Sequence, residues 1–184
     1  PYYILTSRND GADNKTLGLH LNSSHKLNLR SRINFSAKHE NNRYTNQNYK
    51  SGKKNIISSS LTYKVNSFFS VGSGLSIENS NPEASHLQYD SYKLFSNAEK
   101  SWPSGLHTTF SVSLAKQNFS GNYPLTTIKR TDNLSQISIG VKHPKLGIKG
   151  FIPNFSCRYI DNRSNIDLQD YAATDCQISV TKGF

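Results

Sequence analysis

Residues 171–184 alternate in character from end to end. Ala172, Thr174, Cys176, Ile178, Val180, Lys182 and Phe184 fall on one face, and Asp175, Gln177, Ser179, Thr181 and Gly183 on the other. The first face is mostly apolar and the second wholly polar. A period of two over this length describes a β-strand with one face against an apolar medium. The remainder of the chain either repeats that pattern or leaves the strand without a sheet.

Composition narrows the choice. Only 34% of the 184 residues are AVILMFWYC, and the mean hydropathy is -0.63, poor for a packed soluble core. No apolar run approaches the roughly 18 residues of a transmembrane helix. No charged-then-apolar leader is present, and Pro1 in place of Met suggests a processed or truncated chain. Ten Tyr, nine Phe and regular alternation argue against disorder. Low overall hydropathy with strong local alternation is what a barrel with a polar interior requires.

Taken in order, residues 2–8 read as an extended piece whose partner lies upstream. Leu17, Leu19 and Leu21 mark a strand over 16–22. A tight connection at 23–25 leads to a second face of Leu27, Leu29, Ile33, Phe35 and Ala37, opposed by a basic one. Residues 40–53 lack apolar periodicity and read as a long loop. Strands over 55–65 and 68–79 flank a hairpin-length Asn66-Ser67 connection. After a polar loop at 80–87, residues 88–101 form an ambiguous strand. There Leu94, Ser96 and Ala98 compete with Tyr89, Phe95 and Asn97 for the apolar side. A turn at 102–105, a strand from 106, a connection at 119–130 and a strand over 133–143 follow. A turn at 144–147 and a strand over 148–161 then lead through a loop at 162–170 to the final strand. Pro153 has no N–H for a ladder and predicts a bulge or local break.

The expected connections alternate between short ones near 23, 66, 103 and 145 and long ones near 11, 46, 84, 124 and 166. That rhythm, with a terminal aromatic residue, describes an antiparallel up-and-down transmembrane β-barrel of the bacterial outer membrane, about ten strands of it present. Ile178, Val180 and Phe184 form the C-terminal barrel-assembly signal. Phe69, Trp102 and Phe184 are expected at the inner rim, and Phe35, Tyr159 and Tyr171 nearer the outer one. A β-sandwich predicts the same alternation but neither the rhythm of connections nor the terminal Phe.

The formal charge of +10 invites a nucleic-acid partner, but Lys and Arg are scattered, with no recognition-helix or aromatic RNA-binding motif. No nucleic-acid partner is expected. The basic set on the interior side is Arg30, Arg32, Lys38, Lys64, Lys142 and Arg158, against Glu78 and Asp175. Such an interior favours anionic passengers or is simply wet and paired. No Gly-x-Ser-x-Gly or His-Glu-x-x-His motif occurs, and no Cys or His has zinc-ligand spacing, so neither enzyme activity nor a metal or cofactor is expected. Ser73, between Gly72 and Gly74, reads as small-residue packing. Cys157 and Cys176 are symmetric about the 162–170 loop. They form either a cross-strand disulfide in an oxidising compartment or two lipid-facing thiols.

The last third carries a more specific pattern. Arg130-Thr131-Asp132 precedes an alternating strand, followed by Gly150-Phe151-Ile152-Pro153-Asn154-Phe155, Ser164-Asn165-Ile166 and a close of Val180-Thr181-Lys182-Gly183-Phe184. This order resembles the C-terminal barrel of the surface lipoprotein assembly modifier family, often called Slam. Its motif positions here are Arg130, Asp132, Gly150, Pro153, Ser164, Asn165 and Ile166. The resemblance implies a barrel of about fourteen strands, of which this chain is a C-terminal fragment, behind a periplasmic domain of helical repeats. It also implies a translocon with client lipoproteins, outer-membrane lipids and the barrel-assembly machinery as partners. From a different class, a passive porin or polysaccharide-export pore fits the same strands, and a soluble β-rich binding module predicts purification without detergent.

Overall fold

The computed structural model describes residues 2–6, 14–144 and 151–182. They form one antiparallel sheet of ten strands in which every strand pairs with its sequence neighbours. The strands are β1 (Tyr2–Thr6), β2 (Asn14–Lys26), β3 (Ser31–Tyr44), β4 (Gly52–Asn66), β5 (Phe69–Pro82), β6 (Tyr89–Ser101), β7 (His107–Asn122), β8 (Lys129–Lys142), β9 (Phe151–Ser164) and β10 (Tyr171–Lys182). β1 pairs downstream with β2, Tyr2 opposite Gly18 and Thr6 opposite Asn14, and its other side is an edge of the sheet. β1 and β10 are the two edges, so the sheet is an open wall consistent with part of a barrel.

The wall is one layer thick. Among the described residues Phe119 and Pro82 are the apolar side chains that are buried, whereas Leu17, Leu21, Ile57, Leu75, Ile77 and Ile178 are all more than half exposed. These exposed apolar groups share one face. The other face carries Ser, Thr, Asn, Gly and charged groups and is the less accessible one, as the concave side of a bent sheet is. A sandwich would cover the apolar face with a second sheet, and none is present among the described residues.

The register explains how this face becomes a belt. One row of directly opposed residues runs Phe35, Ser59, Leu75, Leu94, Leu114, Ser135, Asp161. It begins mid-belt on β3 and ends on β9 beyond Tyr159, where the convex face has become charged. The apolar belt therefore crosses the pairing rows obliquely, the stagger that tilted strands in a barrel wall require.

Strands β2–β10 are 12–16 residues long, more than the 9–11 or so that cross a bilayer. The surplus lies at the loop side. β3 runs on to Tyr44, β4 starts at Gly52 and β7 reaches Asn122, so the connections there are 45–51, 83–88, 123–128 and 165–170. They are shorter than expected, because the ladder continues where both faces are polar and no hydrophobic period marks it.

On the turn side the β2–β3 connection is 27–30, not 23–25. Asn28 Oδ1 accepts hydrogen bonds from Arg30 N at 2.9 Å and Ser31 N at 2.8 Å, an Asx turn. Leu27 and Leu29 belong to this turn and not to the apolar face of β3.

One open choice is settled and one further expectation corrected. Glycine settles β6: a Cβ on Gly74 would lie 2.6 Å from Phe95 Cζ and 2.4 Å from Ser59 O, so the Phe95 ring occupies the concave side above it. Tyr89, Phe95 and Asn97 are concave, Leu94, Ser96 and Ala98 convex, and Ser73 convex between glycines. Pro153 does not break β9. It pairs with Val180 without a register shift, while pairing with β8 stops at Asn154. Its missing N–H falls where the β8 ladder has already ended.

Candidate functional site

Most of the ion pairs among the described residues lie on the concave face, and they form a girdle along its loop side. Lys38 Nζ lies 2.8 Å from Glu40 Oε1, and Lys54 Nζ 2.7 Å from Glu78 Oε1. Tyr89 donates its hydroxyl to the same Glu78 oxygen. The Tyr89 ring is 5.3 Å from that of Phe119, and the Arg130 guanidinium sits 4.5 Å above Phe119. Arg130 Nε donates to both carboxylate oxygens of Asp132 at 2.9 Å, and its Nη2 bonds Oδ2 as well. Asp132 is 1% exposed. A buried charge persists only when paired and hydrogen-bonded, and this fork supplies both.

The loop at 165–170 closes over that end. Asn165 imitates a strand residue: its Oδ1 accepts from Thr131 N at 2.7 Å, its Nδ2 donates to Lys129 O at 2.9 Å, and its own N donates to Thr131 O at 3.1 Å. Ser164 Oγ accepts from Ile166 N at 3.1 Å, Ser164 N donates to Asp170 Oδ1, and the buried Asn162 donates to Gln169 O at 2.7 Å. The sequence patterns Arg130-Thr131-Asp132 and Ser164-Asn165-Ile166 are thus two halves of one latch, brought together by the β8–β9 pairing that sets Asp132 opposite Ser164.

The other expected positions distribute as follows. Arg32, Lys38, Lys64, Lys142 and Arg158 are on the concave face, and Arg158 Nη2 is 3.0 Å from Asp175 Oδ2 on the facing position of β10. Arg30 is a correction: it lies in the 27–30 turn and not on a strand face, for the Asx geometry given above. Tyr171 is a second: it pairs with Asn162 on the concave side and belongs to no convex aromatic rim. Ile178, Val180 and Pro153 are convex. Trp102 lies in the turn side, its indole N–H donating to Thr108 Oγ1 at 3.0 Å under the Lys100 ammonium. Gly150 and Phe184 lie outside the described residues.

Lys54, Tyr89, Phe119 and Asn162 were not singled out from sequence. The usable signal was the concave parity shared by Tyr89, Phe119, Arg130 and Asp132, which becomes visible only once strand ends are known.

Cys157 and Cys176 face each other on the convex side and are joined by a disulfide, their Cα atoms 4.1 Å apart. That short approach belongs to a non-hydrogen-bonded antiparallel pair. A thiol reagent applied under denaturing, non-reducing conditions is expected to label neither cysteine, and both after reduction. Labelling of both before reduction refutes the bridge.

Among the described residues no group of three or more His, Cys, Asp or Glu could hold a metal ion. No match is found among curated proteins. The sequence profile of the surface lipoprotein assembly modifier family, in contrast, matches residues 1–184. A match over that whole length, on a chain whose latch is built from Arg130, Asp132, Ser164, Asn165 and Ile166, places this protein in the surface lipoprotein assembly modifier family.

Proposed function

We propose that this chain is part of the wall of an outer-membrane translocon that promotes display of lipoproteins on the bacterial cell surface. The observation that carries the reading is the exposed apolar belt on the convex face, backed by a polar concave face, in a chain of this family. Lipid acyl chains would cover the belt without cost to the backbone, because the ladder satisfies its polar groups internally. The concave face would then line the route of a client lipoprotein. Insertion by the barrel-assembly machinery would use β10, whose Ile178 and Val180 point to the lipid side. No catalytic step is assigned, since the charged groups of the girdle are engaged with one another.

Deleting the gene for the full-length protein in its own bacterium is expected to abolish the protease-accessible fraction of surface lipoprotein on intact cells, with total lipoprotein unchanged and recovery on re-expression. Unaltered accessibility overturns the reading. A steady open conductance from the purified full-length protein, with display unaffected, would identify a passive porin or polysaccharide-export pore instead.

A further inference from the structure

The concave wall is unevenly charged along its strands. Of the acidic residues, Glu99 alone lies in the turn-side third of the described strands, whereas Lys26, Arg32, Lys64 and Lys142 all do, with Arg30 in the turn beside them. Four of these cations, Lys26, Arg30, Arg32 and Lys64, line one hollow of about 590 Å³ across β2–β4. Lys26 is directly opposite Arg32. Thr62 is opposite Arg32 on the other side, and Lys64 follows two residues along the same face. The turn is drawn to this group by the hydrogen bond from Lys64 N to Arg30 O at 2.8 Å.

No Asp or Glu lines the hollow, and none of the four cations makes an ion pair with another described residue. On the same face Lys54, Arg130 and Arg158 each have a carboxylate within ion-pair distance. Lys93 and Lys142, like these four, make no ion pair with a described residue. What sets the hollow apart is that its four cations share one depression. Like charges directly opposite on paired strands repel. That repulsion is relieved when an anion occupies the hollow. The cations are long side chains spread over three strands, with Asn28, Asn34 and Thr62 between them and a fully exposed Leu29 beside them. Arg and Lys side chains hold phosphates as well as carboxylates, but four cations spread over three strands and their turn, with an exposed Leu29 beside them, match carboxylates carried along an extended chain that also has apolar residues.

We propose that this hollow receives an acidic, extended segment of the passenger polypeptide as it meets the wall from the turn side. The proposal rests on the translocon reading, and it names what that wall recognises. Its cations are not neutralised in advance, so they act as an attractive first contact. The ion-paired girdle farther along offers no comparable charge, so a segment attracted at the turn side is not held at the loop side.

The test uses the full-length protein in detergent and a fluorescent peptide of alternating Glu and Ser, with binding read by anisotropy. The triple variant Lys26→Gln, Arg32→Gln, Lys64→Gln is expected to bind about tenfold more weakly, each charge contributing a modest exposed-pair interaction. The charge-keeping variant Lys26→Arg, Arg32→Lys, Lys64→Arg is expected to bind as wild type, which separates lost charge from lost fold. A third variant, Lys15→Gln, Arg43→Gln, Lys53→Gln, removes the same charge from the convex loop side and is expected to bind unchanged.

Equal weakening in the first and third variants would mean net charge alone, and no weakening in the first would also overturn the proposal. Displacement of the peptide by phosphatidylglycerol vesicles or inorganic phosphate at equal anion concentration would assign the hollow to a phosphate ligand instead. The peptide assay involves no cells. Normal display loss on deletion with no peptide binding defeats this inference alone, whereas peptide binding without any display defect defeats the translocon reading and leaves the hollow as an acidic-peptide site with no passenger.

Discussion

Asp132→Ala is expected to destabilise the full-length protein by about 3–5 kcal/mol, read as a lowered urea midpoint for unfolding from detergent or vesicles. The magnitude follows from what the substitution leaves behind. Asp132 is 1% exposed and receives both Nε and Nη2 of Arg130. Truncation strands the guanidinium against the Phe119 ring with its fork unanswered. Removing one partner of a buried pair costs far more than the pair contributes net, because an uncompensated charge remains. The double variant Arg130→Met, Asp132→Leu is therefore expected to recover most of the loss, since it removes both charges and keeps their volume. A small effect of Asp132→Ala, within about 0.5 kcal/mol, would show that water reaches the pair and that the girdle is not a sealed structural element.

Leu75→Arg tests the other face. Leu75 is 63% exposed at the middle of the convex belt, between Ser59 and Leu94 in its pairing row. Where that belt meets acyl chains, an arginine near the midplane costs about 2–4 kcal/mol. Where it meets water, the same substitution on an exposed strand position falls within about 0.5 kcal/mol and improves solubility. The two media predict different results from one residue. Asn79→Arg, on the same face but beyond the belt, is expected to be nearly neutral in either case, because the lipid penalty falls away toward the interface.

The alternation that located the strands also marked their faces correctly wherever one side is apolar and the other polar. Leu17, Ile57, Leu75 and Ile137 needed only a period of two. It failed where that contrast vanishes. Residues 41–44 and 119–122 show no apolar period, with Phe119 a single apolar residue among polar ones, so nothing in their order distinguishes strand from loop, yet β3 runs on to Tyr44 and β7 to Asn122, the latter across a register shift between Asn118 and Asn122. The 27–30 turn was displaced in the reading because Leu27 and Leu29 keep the apolar parity of a strand, while Asn28 captures the backbone locally. β6 was undecidable because Phe95 is apolar yet concave, and its reason is a neighbour: only a glycine at position 74 leaves room for the ring. The latch was legible as two motifs but not as one object, since Arg130 and Asn165 meet through a register that no single strand displays.

The loops of the wall are tied to one another. Ser51 O and Tyr49 O accept from Glu83 N and Ala84 N, Gln88 O accepts from Ser120 N, and Tyr123 OH accepts from Gln169 Nε2. Together with Asn165 this fastens four consecutive hairpins side by side. Such a rim behaves as a hoop. A pull on one hairpin, such as a polymer dragged across it would exert, is shared by its neighbours and resisted in shear along several strands at once. At the opposite rim the described turns have fewer such ties, one backbone hydrogen bond each from Lys64 N to Arg30 O and from Ser101 N to Phe68 O at 2.8 Å. The wall is therefore mechanically polar, stiffest at the end where a cargo leaving from the turn side would arrive last.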